Sequence, residues 1–159
     1  MKAIFLDVDG VLNCQSSQSR CRNALGIDDD KVERVKQIVE KTGARIVLSS
    51  SWKDGWEPIC KDDQTEDSNY LDRKLRRQGL VAIDKTYEPS YERRGEGIIK
   101  WIIAHDVDSF IILDDEWFDY KKLGLASKVI KTEFYSPVGG LTDTDVELAI
   151  KLLNSEQAN

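Results

Sequence analysis

Short, nearly uninterrupted apolar runs recur along this chain, and three of them stop abruptly at small or acidic residues: 2–8 (KAIFLDV), 45–50 (RIVLSS) and 109–115 (SFIILDD). Runs of this length and continuity are buried strands, covered on both faces. Between them the periodicity turns helical. Asp29 to Thr42 places Val32, Val35, Ile38 and Val39 on one face and closes at Gly43. Gly95 to His105 carries Ile98, Ile99, Ile102 and Ile103. A last helix carries Val146, Leu148, Ile150, Leu152 and Leu153, and Thr142 with Asp145 has the spacing of a capping box at its start. Weaker strands are predicted at 80–85 and 126–132, and a helix-like NYLDRKLRRQ lies within the polar stretch 51–92. Strand and helix in alternation require parallel pairing. The expected fold class is α/β, a three-layer sandwich on a mainly parallel central sheet.

A chain of 159 residues corresponds to one domain, 1–159, and no apolar run approaches the roughly 18 residues of a membrane span. The first ten residues reach an acid at position 7, against a secretory signal. Twenty-three Lys and Arg against 29 Asp and Glu give a net charge of −6, so stable duplex DNA binding is not expected. The three cysteines form no CxxC pair and read as reduced thiols of a cytoplasmic protein. With His105 the single histidine, composition argues against a His-based metal site or a Ser-His-Asp hydrolase. Chemistry here must run on carboxylates, hydroxyls and cations.

In parallel α/β sheets such groups collect beyond the carboxyl ends of strands. The first strand ends in Asp7-Val8-Asp9-Gly10, the second in Ser49-Ser50-Ser51 and the 109–113 strand in Asp114-Asp115-Glu116. Alternation puts Asp7 and Asp9 on one side with Val8 turned to the core, and Gly10 permits a sharp turn close to a ligand. A lone DxD reads equally well as solvated loop acids. Acids converging from two buried strand ends repel one another, and a hard cation such as Mg²⁺ resolves the conflict.

The strings DVDGVLN, RIVLSSSW, RRGEGIIKWI and FIILDDE, in that order, resemble the four motifs of the haloacid dehalogenase-like (HAD) hydrolase superfamily. The finer pattern is similar to the small HAD domains associated with RNA-repair proteins. The resemblance implies a HAD-like Rossmannoid fold. It also implies a Mg²⁺-dependent phosphatase that hydrolyses a phosphomonoester through an aspartyl-phosphate on Asp7, with Asp9 as general acid and then base. It implies metal binding by Asp7, the main chain at Asp9, and Asp114 or Asp115. Among the serines, Ser49 directly follows the apolar run, while Ser50 has the spacing to Trp52 of the subfamily pattern and is the choice for the phosphoryl oxygens. Among the cations, Arg94 at the helix start is preferred, with Arg93 as the alternative and Lys100 as a surface residue. Asp119 is a candidate for orienting other ligands, or a surface acid.

HAD enzymes select substrates through inserted caps, and neither gap here holds a large one. The first makes mostly a helix, and the second leaves a small insert within roughly 52–92. A minimal or absent cap suits a phosphate on something large, such as a nucleotide or nucleic-acid end. Arg73, Lys74, Arg76 and Arg77 with Arg93, Arg94, Tyr70, Tyr87 and Tyr91 are candidates for a basic-aromatic path, or for a charged helix face and nothing more. Trp52 and Trp56 are core residues or substrate neighbours, and Trp101 and His105 are structural. The alternative functions are a catalytically silent HAD-like domain binding a phosphorylated ligand or partner, and a phosphotransferase. A signalling receiver domain fails on motif order. The default assembly is a monomer.

Overall fold

Side chains alternate across each central strand, and both faces are apolar, so helices must cover the sheet on two sides. The computed structural model describes residues 1–155. Strand β1 (Lys2–Leu6) leads to a small hairpin of β2 (Arg20–Cys21) and β3 (Ala24–Leu25), then to helix α1 (Asp29–Thr42) and β4 (Arg45–Leu48). Helix α2 (Glu66–Arg77), β5 (Ala82–Lys85), α3 (Arg94–Ala104), β6 (Ser109–Asp114), β7 (Val129–Lys131) and α4 (Asp143–Ser155) follow. The order of the five-stranded sheet is β5-β4-β1-β6-β7, with every pairing parallel. This is the expected three-layer α/β sandwich. Between β1 and α1 the two-residue strands of the hairpin are the only regular addition, and of the stretch 52–92 both α2 and β5 belong to the layers.

On one face Ile4, Leu6, Ile46, Leu48, Ile111 and Leu113 pack against α1, α2 and α4 through Val32, Val35, Leu71, Leu75, Val146 and Leu153. On the other, Ala3, Phe5, Val47 and Ile112 pack against α3 and the β6–β7 connection through Ile98, Trp101, Tyr120 and Leu125. Gly43 closes α1 in the left-handed region (φ 72°), where glycine has no Cβ to clash. Thr142 and Asp145 exchange reciprocal bonds of 2.9 and 3.2 Å at the start of α4, the capping box read in the sequence. Trp56 and Trp101 are core residues whose indole N–H groups donate to Asp72 (2.9 Å) and Asp84 (2.7 Å). His105 stacks on Trp101 at 3.8 Å, a structural role. Cys14, Cys21 and Cys60 are all free, and no described helix is long and apolar enough to cross a membrane.

The basic-aromatic path does not form. α2 and α3 lie on opposite faces of the sheet, Lys74 is buried and paired with Asp29, Arg73 pairs with Glu66, and the Tyr70 hydroxyl accepts the Ile27 N–H. These charges and rings are spent locally.

The α3 face depends on Phe5, fully buried and edge-on to Trp101 and Phe110 at 5.6 and 5.9 Å between centroids. Phe5→Ala is expected to cost about 3–5 kcal/mol, read as a lower denaturation midpoint with an unchanged slope.

Candidate active site

β1 sits between β4 and β6, in register Leu6↔Leu48 and Leu6↔Leu113. The next residues of the three strands therefore meet. Asp7 N–H donates to the Leu113 carbonyl (3.0 Å) and Ser49 N–H to the Leu6 carbonyl (3.0 Å). By alternation Asp7, Ser49 and Asp114 follow Phe5, Val47 and Ile112 onto the α3 face. α3 begins at Arg94 and delivers its guanidinium onto the same spot. Only 2% exposed, Arg94 Nη1 lies 3.0 Å from Asp114 Oδ2 and 3.3 Å from Asp7 Oδ1, with the guanidinium 4.2 Å from the Phe118 ring centroid.

Neighbouring groups hold this arrangement. Tyr120 donates its hydroxyl to Asp114 Oδ2 (2.7 Å), and Glu116 N–H reaches Asp114 Oδ1 (3.0 Å). Asp119 accepts the Gly95 N–H (2.6 Å) and the Glu96 N–H (3.3 Å), so a carboxylate from the β6–β7 connection satisfies the positive end of α3. Asp119 thus anchors the helix that carries Arg94.

Asp7, Asp114 and Asp115 bring carboxylate oxygens within 4.8 Å of one another, against a single guanidinium. Burial, then Asp114, push the Asp7 carboxyl well above its ordinary range, with Arg94 opposing. Burial, then Asp114 and Glu116, raise Asp115 to about 6. Arg94 loses solvation, yet Asp7 and Asp114 outweigh that and hold it protonated. An all-oxygen, over-charged donor set of this kind fits a hard divalent cation such as Mg²⁺.

The loop after β1 is knitted to the same centre. Gly10 has φ +83°, and a Cβ there would fall 2.3 Å from the Asp115 carboxyl. Its N–H donates to Asn13 Oδ1 (2.9 Å), and its carbonyl accepts the Thr132 hydroxyl (2.6 Å) from the end of β7. Asp9 does not join the carboxylate cluster. Its side chain is exposed, with Oδ1 accepting Asn13 Nδ2 (2.9 Å) and Oδ2 accepting Trp52 Nε1 (3.1 Å). Val8 turns into the core while Asp7 and Asp9 both line one cleft, although β1 ends at Leu6 and Asp9 stands at its exposed edge.

The three serines separate by role. Ser50 Oγ accepts the Trp52 N–H (3.1 Å) and caps a short 3₁₀ turn, Ser51–Lys53. Ser49 Oγ is buried and has no partner among the described residues, as has Arg94 Nε. Ser51 is exposed and lines a cleft of about 190 Å³ together with Asp7, Asp9, Tyr91, Arg94, Asp115, Glu116, Phe134 and Tyr135. Arg93 lies outside it, paired on the surface with Glu96 at 2.5 Å, and Lys100 is exposed in mid-helix. A groove of about 730 Å³ opens elsewhere, between the first turns of α1 and α4. Its buried cation, Lys31, is already paired with Asp28 (2.9 Å), and its rim is acidic.

Sequence reasoning missed Asn13, Tyr120, Thr132, Phe134 and Tyr135. Asn13 ends the DVDGVLN string, a signal that was available. The others reach the site through the β6–β7 connection and the end of β7, and they carry no local pattern.

The sequence matches the family model described as the HAD domain in Swiss Army Knife RNA repair proteins over residues 3–146. The chain belongs to this family. Among solved structures, this HAD domain is similar to a protein from Mesorhizobium loti described as a HAD-like phosphatase, with a TM-score of 0.60 and 10% identity. The match covers 98% of this chain and 87% of that one, and at this identity it speaks for the fold. No curated protein matches the sequence.

A carboxyl whose folded pKa lies above its unfolded value favours folding only while protonated. Asp115, raised from 3.8 to about 6, therefore loses its share of stability as pH rises through that window. Relative to Asp115→Asn, the metal-free protein is expected to lose about 1 kcal/mol between about pH 4 and about pH 7, after discounting for its partial exposure. The readout is a gap of roughly 2–4 °C in Tm, which Mg²⁺ should close at the upper pH.

Proposed function

We propose that this HAD domain is a Mg²⁺-dependent phosphatase that transfers a phosphoryl group from a phosphomonoester to Asp7 and then to water. The observation that carries the reading is the Asp7–Asp114–Asp115 cluster gathered around the buried guanidinium of Arg94. An Asp7 oxygen attacks phosphorus as the bond to the leaving oxygen breaks, and that oxygen takes a proton from Asp9. Asp9 then accepts a proton from water, which attacks phosphorus, releases inorganic phosphate and restores Asp7.

Asp7, Asp114, Asp115 and the main chain at Asp9 are the groups that would hold Mg²⁺, which when bound supplies charge neutralisation for the phosphoryl oxygens. Arg94 holds Asp7 and Asp114 in place and offers its unpartnered Nε toward an anion. Ser49 and Ser50 are both candidates for a phosphoryl oxygen, since Ser49 Oγ has no partner among the described residues and Ser50 accepts the Trp52 N–H, which leaves its own O–H free to donate.

The cleft of about 190 Å³ accommodates a phosphoryl group but falls short of the roughly 300 Å³ at which pockets begin to enclose a small ligand. The rest of the substrate then lies on the surface, where Tyr91 and Tyr135 are exposed. Together with the family's RNA-repair description, this supports a nucleotide or nucleic-acid end as the phosphate carrier.

The test is phosphate release from 4-nitrophenyl phosphate, nucleoside monophosphates and 5′- or 3′-phosphorylated RNA and DNA, with Mg²⁺, with chelator and with Asp7→Asn. Turnover is expected to need the metal and to vanish in Asp7→Asn, and the ranking names the carrier. Folded protein that releases nothing from the whole panel would make this a silent binding domain. Transfer to a second hydroxyl without free phosphate would make it a phosphotransferase. Ser49→Ala should leave Tm unchanged or slightly raised, since it removes an unpartnered buried hydroxyl. It should nevertheless lower kcat/KM about 10–100-fold.

A further inference from the structure

The Asp9 carboxylate is exposed, yet it is held at both oxygens. Asn13 Nδ2 donates to Oδ1 at 2.9 Å and Trp52 Nε1 to Oδ2 at 3.1 Å. The two donors are anchored differently. Asn13 is fully buried, accepts the Gly10 N–H and donates a second bond to the Gly26 carbonyl (2.8 Å), so it is part of the loop after β1. Trp52 comes from the end of β4. Its backbone N–H is fixed by the Ser50 cap, its carbonyl accepts the Ser68 hydroxyl (3.1 Å) from α2, and its ring packs beside Tyr70 at 6.1 Å. The indole N–H therefore reaches Asp9 from a different element than Asn13 does, the two meeting again only where Tyr70 accepts the Ile27 N–H beside the Gly26 carbonyl that Asn13 bonds.

We propose that Trp52 is a positioning residue for the acid–base step, its indole N–H aiming the Asp9 carboxyl at the leaving oxygen of the substrate. This rests on the phosphatase reading, and within it on Asp9 as the proton donor. A short side chain on an exposed turn has several staggered orientations open to it. Two N–H donors at fixed angles leave one. Proton transfer from a misaimed carboxyl is slow even where binding is intact, because an error of about 1 Å can cost as much as 10²-fold. The arrangement also accounts for a tryptophan, rather than another ring, immediately after the serines. A phenyl ring would fill the same place against Tyr70 but donate nothing.

The experiment compares Trp52→Phe, Asp9→Asn and the double variant on two esters in the presence of Mg²⁺, reading release of the leaving group in the first turnover, before the base step that both esters share. One is 4-nitrophenyl phosphate, whose leaving group departs without a proton. The other is a phosphorylated oligoribonucleotide, whose alkoxide needs one. Trp52→Phe is expected to slow that first release from the oligonucleotide about tenfold while leaving first release of 4-nitrophenol within about twofold. The KM values should be unchanged. In the Asp9→Asn background it should add nothing further. Equal losses on both esters, or an additive loss in the double variant, would mean that Trp52 merely supports the fold and would overturn the proposal. If Asp9→Asn itself slows both esters alike, the proton-donor reading of Asp9 fails and takes this proposal with it. Retained metal-dependent turnover would then leave the Asp7 chemistry standing.

Discussion

One guanidinium, sealed from water, organises the working end of this protein. Arg94 cannot shed its charge, and burying it is tolerable only because Asp7 and Asp114 lie within 3.3 Å. The dependence is mutual. Two adjacent carboxylates at the end of a parallel sheet would otherwise repel each other and demand solvent. The pairing fixes the seat of α3 on the sheet, and Asp119 and Tyr120 reinforce it from the β6–β7 connection. Three separate pieces of chain are thus committed to one geometry by electrostatics that none of them could satisfy alone.

That commitment is incomplete. Asp115 adds a third carboxylate to the cluster, Asp7 and Asp115 are pushed toward the protonated state, and Ser49 Oγ and Arg94 Nε lack partners among the described residues. Unsatisfied acceptors and donors side by side are the complement of a cation and an anion arriving together. In the proposed phosphatase, the metal and the phosphoryl group would be that combination. The left-handed backbone of Gly10 lets the neighbouring loop pass directly against the Asp115 carboxyl.

Much of this could be read before any coordinates. Apolar runs ending in Asp7, Ser49 and Asp114 told of buried parallel strands, and the helix headed by Arg94-Gly95 put the cation near them. Where the reading strayed, it had stretched a local rule across the fold. Clustering in sequence suggested a path from Arg73 to Arg94, but the sheet lies between α2 and α3.

The sequence by itself determined the α/β layering, the positions at which polar groups leave the strands, and the family to which the chain belongs. These follow from periodicity and short strings, which a chain displays locally. Only the tertiary structure decided which hydroxyl stays unpartnered among the described residues, and that Tyr120, Asn13 and Trp52 bond the carboxylates. Those outcomes depend on strand order and helix seating, which bring together residues as distant in the chain as Gly10 and Thr132, 122 positions apart. Burial and hydrogen-bond competition between such residues leave no trace in any one segment.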